Sequence, residues 1–416
     1  MNTLSKKKIL MLSDHALSTS GVGCQSRFLI NGLIEKGCWT VRQFGAAMKH
    51  NSYDTVVVNS DFIIKPIDGF GDRETILRAI SVEKPDVLFL FTDPRFFIYI
   101  WEMHDEINKI CPIAYWHVWD NHPAPFFNKV LYEATDLINC HSHLTYELVN
   151  EILPGKANFI PHALPDEIFF PLPEVEKRKH KVNVLGPNRQ DHFTVFWVNR
   201  NARRKRPADI LDAWSKFMKK IEAEGKKDAT LLMHTDPVDA EGPNLLVCTE
   251  ALNITESVVF SNQRVEFERM NILHNITDCC INIAYAEGFG LATLEAMQVG
   301  NPIIALKTGG LTRQVVDHRD ETENGIALDV EMKSLVGSQL VPYIYEDYVS
   351  TDTVADALYK MYKMDPQKRK ELGSKAKKYV KSEFHIQDTV DKWHDTLWEL
   401  TENYKIGGKF CLEEIN

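Results

Sequence analysis

Apolar positions along this 416-residue chain follow two alternating rhythms. Short, nearly continuous runs such as "KKILMLSD", "PDVLFLF" and "CPIAYWHVW" are separated by stretches in which apolar residues recur every three or four positions, as in "GVGCQSRFLINGLIEKG". The first pattern predicts strands buried on both faces. The second predicts amphipathic helices, with Gly37 placed to end this one. Strands and helices in alternation predict a parallel, doubly wound sheet. The rhythm breaks in "DEIFFPLPEVEKRKHKVNVLGPNRQDHF", rich in proline and charge, and restarts at "TVFWVNR", so a domain boundary is expected between about residues 170 and 192. Beyond it the pattern predicts strands at "ATLLMHT", "CCINIAY" and "NPIIALK". Helices are predicted at "ADILDAWSKFMKKIEAEG" and "LATLEAMQVG", the second stopped by Gly300 and Pro302. The last amphipathic stretches, "VADALYKMYKM" and "VDKWHDTLWELTENY", read as helices packed on a sheet.

Composition narrows the setting. The chain is 44% hydrophobic and 25% charged, enough apolar material for two medium cores. Its longest apolar runs, "DVLFLF" and "FFIYIW", fall short of the ~20 residues a bilayer span needs, and the basic start reaches Ser13 and Asp14 too early for a signal peptide. A cytoplasmic protein without integral membrane association is expected. Cysteines at 24, 38, 111, 140, 248, 279, 280 and 411 form no CxxC pair, which predicts reduced thiols rather than disulfides or a zinc site. A formal net charge of −10 argues against a general nucleic-acid or anionic-membrane coat.

Candidate chemistry concentrates in "EGFGLATLEAM", Glu287 to Met297. A strand leading into Gly288, Phe289 and Gly290 and then a helix presents backbone N–H groups at a helix N-terminus, where glycine allows an anion to approach closely. Glu287 lies before the helix and Glu295 inside it. Carboxylates accept hydrogen bonds from hydroxyls and repel phosphate, so the two suit sugar hydroxyls on either side of a diphosphate. One ligand satisfies both chemistries, a nucleotide sugar.

The stretch "EGFGLATLEAMQVGNPIIALKTGG" resembles the E-x7-E signature of retaining glycosyltransferases of family four, which have the GT-B fold. "TSGVGCQSRFL" is similar to that family's first-domain glycine loop, "IPHALPDEIFFPL" to its interdomain passage and "NRNARRKRP" to its basic loop in the second domain. Ala163 stands where the interdomain motif often has glycine, and Gln314 where an acidic residue is common after "TGG". The resemblance implies an α/β chain of two Rossmann-like parallel-sheet domains facing a central cleft. These would be an acceptor-side domain over 1–180 and a nucleotide-sugar-binding domain over 190–387, with a C-terminal helix at about 388–416 packing back on the first. It implies that Arg200 and Lys205 meet the diphosphate with the amides of Gly288 to Gly290, that Glu287 holds the donor sugar, Glu295 the ribose and His117 the sugar from the first domain. Gly21 and Gly23 would let the backbone approach donor sugar and phosphate. Asp120 or His122 could replace His117, and a buried structural role for His117 is the competing view.

Two fixed cations and a helix terminus can stabilise a leaving diphosphate, so no metal and no cofactor beyond the co-substrate is expected. The expected reaction is metal-independent hexosyl transfer with retention from a nucleotide-diphosphate sugar, UDP-glucose being the type, to a hydroxyl acceptor, most naturally a glycan. Alternatives are a phage-type enzyme glucosylating hydroxymethylated pyrimidines in DNA, with the extruded base on aromatics of "TDPRFFIYIWEMHDE" and "DNHPAPFFN", and a silent nucleotide-sugar-binding protein. A dehydrogenase would need a third glycine where Ser26 stands. A glycosidase would need carboxylates facing each other across the bond.

Overall fold

The computed structural model describes residues 6–405. Cys411 and residues 406–416 of the expected C-terminal helix lie outside them. The chain forms two compact units, one of Met1–Ala163, Gly337–Tyr343 and Ile386–Asn416, the other of Leu164–Val336 and Ile344–His385. Residues 164–180, which the sequence pattern placed with the first domain, group with the second unit. The charged passage read as a linker contains a helix, Glu174–Leu185, of which only Leu185 is buried. A helix with so little apolar surface leaves no periodic signal.

The first unit is built on an eight-stranded sheet. Its order is Val56–Val57, Phe62–Pro66, Trp39–Ala46, Lys7–Asp14, Val87–Thr92, Ile113–His117, Leu137–Cys140, Ala157–Phe159. All neighbours are parallel except the first pair. Successive residues face opposite sides. Leu10, Leu12, Leu88, Leu90, Ile113 and Tyr115 pack on one face with the helix Arg73–Glu83. Ile9, Met11, Phe89, Phe91 and Trp116 pack on the other, against the helix Gly21–Glu35 and the last helix, Ile386–Asn403. The last helix sends Val390, Trp393 and Leu397 into that core. Gly32 of the Gly21–Glu35 helix makes room for it, since a Cβ there would lie 2.4 Å from Val390 Cγ2.

The second unit has a six-stranded, wholly parallel sheet, ordered Val258–Ser261, Ala229–His234, Phe193–Val198, Cys279–Asn282, Ile303–Leu306, Gly325–Leu328. Helices Pro207–Glu222 and Thr351–Lys363 cover one face, contributing Trp214, Phe217 and Leu358 to its core. The strand order reverses between Phe193–Val198 and Cys279–Asn282, and in the first sheet between Lys7–Asp14 and Val87–Thr92. Ligands of doubly wound sheets bind outside the carboxyl ends of the strands at such reversals. In the second unit the loops leaving that point are residues 199–206 and 283–290, which carry the basic run and Glu287. Among the described residues no helix is long and apolar enough to cross a membrane, and the seven described cysteines are free thiols.

Candidate active site

Backbone and side-chain bonds stitch the two loops of the second unit together. Tyr285 N–H donates to Arg204 O (3.0 Å) and Arg204 Nη1 donates to Ala286 O (2.9 Å). This registration brings Lys205 Nζ onto Glu287 Oε2, with Asn282 Nδ2 donating to the same oxygen at 3.2 Å. Both members of the ion pair keep 12% of their side-chain surface exposed. Burial pushes the Glu287 pKa up, but the Lys205 charge, then Arg204 and the hydrogen bonds from Lys205 and Asn282, outweigh it and hold the carboxyl below its usual range. Glu287 is an anion at neutral pH.

The rest of the basic run divides by partner. Arg206 is buried, donating to Asp209 Oδ2 (2.7 Å) and Val349 O (2.9 Å), and it stacks on Tyr285, so it holds the loop in place. Arg203 pairs with Glu346. Arg200, expected at the diphosphate, is exposed and forks onto Asp239 (2.8 and 3.2 Å) and Glu241 (3.0 Å). The structure thus joins Lys205 to Glu287 and gives Arg200 acidic partners of its own.

Next along the chain, Gly290 begins the helix Leu291–Gln298 at φ 94°, ψ 62°, a left-handed conformation that favours glycine. A Cβ there would lie 2.4 Å from Leu311 Cδ2. This helix has no side-chain cap, whereas Ser20, Ser142 and Ser350 cap the helices that follow them. Its first N–H groups therefore have no serine or aspartate to take them up. The Phe289 side chain turns into the core against Phe384, at 5.5 Å between ring centroids, so only its backbone is on offer to a ligand. One turn into the helix, Glu295 Oε2 meets His274 Nε2 at 2.8 Å. His274 is fully buried on the helix Phe267–Asn275. The sequence reading missed it, because a histidine on an apolar helical face carries no local signal.

Two sets of first-unit candidates lie as follows. His117 has no exposed surface, and its ring is held between Tyr115 (Nδ1 to Oη, 3.1 Å) and Tyr132 (Nε2 to Oη, 2.7 Å). Tyr115 donates its own proton to Thr92 O at 2.8 Å, so it accepts from His117 Nδ1–H and Tyr132 donates to Nε2. Both ring nitrogens are engaged within the unit. Strand geometry explains it: Ile113, Tyr115 and His117 share the core face. Asp120 and His122 lie in the loop beyond the strand, with His122 exposed. Gly21 and Gly23 do open a helix, but Ser20 Oγ accepts the Gly23 N–H at 3.0 Å. A Cβ on Gly23 would sit 2.2 Å from Ser18 Oγ and 2.6 Å from His15 O. Gly23 is small because the preceding loop folds over it.

Burial pushes His117 and His162 well below the ordinary imidazole pKa of 6.5, and repulsion from His141 adds to it. The unfolded chain takes up protons below that value and the folded unit does not, so stability falls as pH falls. Urea midpoints are expected to be level from pH 8 to 7 and to drop from pH 6.5 to 5.5. A midpoint that stays level across the whole range would contradict neutral burial of these rings.

Residues 185–379 match the family described as Glycosyl transferases group 1. They form a group 1 glycosyltransferase domain. The chain is 22% identical over 281 residues to N-acetyl-alpha-D-glucosaminyl L-malate synthase of Bacillus anthracis, a stretch covering 66% of this chain and 62% of that relative. Sucrose-phosphate synthase from Thermosynechococcus elongatus superposes with a TM-score of 0.71 at 17% identity, over 95% of this chain and all of that one. HepE from Anabaena, solved in complex with UDP and glucose, does so with a TM-score of 0.68 at 15% identity, again over 95% of this chain and 100% of its own. The fold is GT-B, two parallel-sheet α/β domains. Within the glycosyltransferase domain, the matched residues include Lys205, Glu287, Glu295 and the uncapped helix.

Proposed function

We propose that the protein is a retaining glycosyltransferase that moves a hexosyl group from a UDP-linked sugar to a hydroxyl acceptor, a glycan in the first instance. The observation that carries this reading is the Lys205–Glu287 pair beside the uncapped helix at Gly290, both at the strand-order reversal. Lys205 and the uncapped helix terminus suit a diphosphate, Glu287 suits sugar hydroxyls, and Glu295, braced by His274, suits ribose hydroxyls. The donor choice draws support from HepE, whose structure holds UDP and glucose, and from the sugar-transferring names of the relatives.

In the proposed reaction the bond from the anomeric carbon to the diphosphate oxygen breaks and its electron pair stays on the diphosphate. The acceptor oxygen bonds to the same face of that carbon, and its proton passes to the departing phosphate oxygen. The residues' share is electrostatic: a cation and oriented amides meet charge as it develops on the leaving group. The same groups make the reaction independent of added metal under this reading.

The test is a panel of UDP-, GDP- and ADP-sugars with the purified chain, with nucleoside diphosphate release as the first readout. Mass spectrometry of glycan and hydroxymethylated-DNA acceptors and the anomeric configuration of the product follow, with and without EDTA. Release with UDP-sugars, an α-linked product from an α-linked donor, and equal rates with EDTA are expected. Transfer to DNA alone would overturn the acceptor assignment, an inverted product the retaining mechanism, and binding without turnover on any acceptor the enzyme reading itself.

A further inference from the structure

The Glu287–Gly290 turn is held from behind by the next turn of the same unit. Glu287 O accepts from Gly310 N–H at 3.0 Å. Phe289 O and Gly290 O both accept from Gln314 Nε2, at 2.7 and 3.1 Å. Carbonyls only accept, so the amide end of Gln314 must face them, and its Oε1 accepts the Thr293 hydroxyl at 2.6 Å. Gln314 has no exposed surface, and its own carbonyl is anchored by Asn324 Nδ2 at 2.9 Å.

These bonds fix directions. A planar trans peptide holds its C=O and the following N–H on opposite sides, and the described residues have a cis bond only at His122–Pro123. Turning the carbonyls of 287, 289 and 290 toward Gly310 and Gln314 therefore turns the N–H groups of Gly288, Gly290 and Leu291 the other way. Gly310 is small for the same reason: a Cβ on it would lie 2.5 Å from Gly288 O and 2.6 Å from Phe289 Cα.

We propose that Gln314 is a positioning residue for the donor diphosphate: by pinning two carbonyls it aims the Gly290 and Leu291 amides at the phosphate oxygens. The inference rests on the nucleotide-sugar reading above. Being buried, Gln314 acts through the backbone rather than on the ligand.

The experiment measures calorimetric binding to the full chain of UDP, GDP and ADP, and of the nucleoside matching whichever diphosphate binds most tightly, for wild type, Gln314→Met, Gln314→Leu and Thr293→Val. Diphosphate affinity is expected to fall about tenfold or more in both Gln314 variants and several-fold in Thr293→Val, with nucleoside affinity changed less than about twofold. Selective loss of the diphosphate is a readout that a general packing defect would not give. If the Gln314 variants fail to fold, Thr293→Val, which removes the hydroxyl lying 2.6 Å from Gln314 Oε1 and 2.8 Å from Gly290 O, carries the test. Equal loss for nucleoside and diphosphate, or no loss, overturns the inference alone. A wild-type chain that binds none of the diphosphates overturns the nucleotide-sugar reading and this inference with it.

Discussion

Changing Glu287 to glutamine is expected to lower turnover about a hundredfold or more, a loss of ~2.7 kcal/mol of transition-state stabilisation. The carboxylate is buried against Lys205 and held ionised, so its charge is available where the sugar would bind. Glutamine keeps the size and can keep the contact to Asn282, but it leaves Lys205 in a poorly exposed place without its counter-charge. Breaking a buried pair from one side can cost about 3–5 kcal/mol of stability, so the kinetic claim needs a stability control. Lys205→Met combined with Glu287→Gln removes both charges and should recover much of the melting temperature without recovering turnover. Turnover within a few-fold of wild type in folded Glu287→Gln would remove Glu287 from the chemistry. Melting and turnover recovering together in the double variant would make the pair structural.

The second large effect is on stability. Trp393→Ala is expected to destabilise the first unit by about 3–5 kcal/mol. Trp393 has no exposed surface and lies 4.8 Å from Phe89 and 5.3 Å from Trp116 between ring centroids. Its ring neighbours Phe89 and Trp116 are rigid and cannot collapse into an indole-sized hole. Limited proteolysis with fragment mass spectrometry should show cuts within residues 6–163 well before cuts in the glycosyltransferase domain. A denaturation profile matching wild type within about 0.5 kcal/mol would mean that the last helix contributes little to that core.

Strong periodicity made most of the architecture legible in the sequence. "PDVLFLF" is the strand Val87–Thr92, "GVGCQSRFLINGLIEKG" contains the helix Gly21–Glu35, and "LATLEAMQVG" contains Leu291–Gln298. The glycine turn at 288–290 was legible because two glycines stand between an apolar strand run and a helical pattern. The burial of His117 was legible too, since alternation along its own strand puts it on the face of Ile113 and Tyr115. The Glu295–His274 contact joins positions 21 residues apart, and nothing in either segment announces the other. Gln314 registered only as a departure from a motif; its bonds to Phe289 and Gly290 depend on how two consecutive βα turns stack.

The first unit takes residues up to Ala163, then Gly337–Tyr343 and, after the whole of the second unit, Ile386 onward. On the ribosome its core therefore waits, unfinished, for a helix that is made last. At ~5–20 residues per second the wait is on the order of ten seconds or more. During that interval the face that Val390, Trp393 and Leu397 will cover, including Phe89, Phe91 and Trp116, is open to water and to other chains. Yield in cells should then depend on how quickly the last helix arrives. Slow codons within residues 164–385 would harm expression more than the same codons placed earlier in the gene.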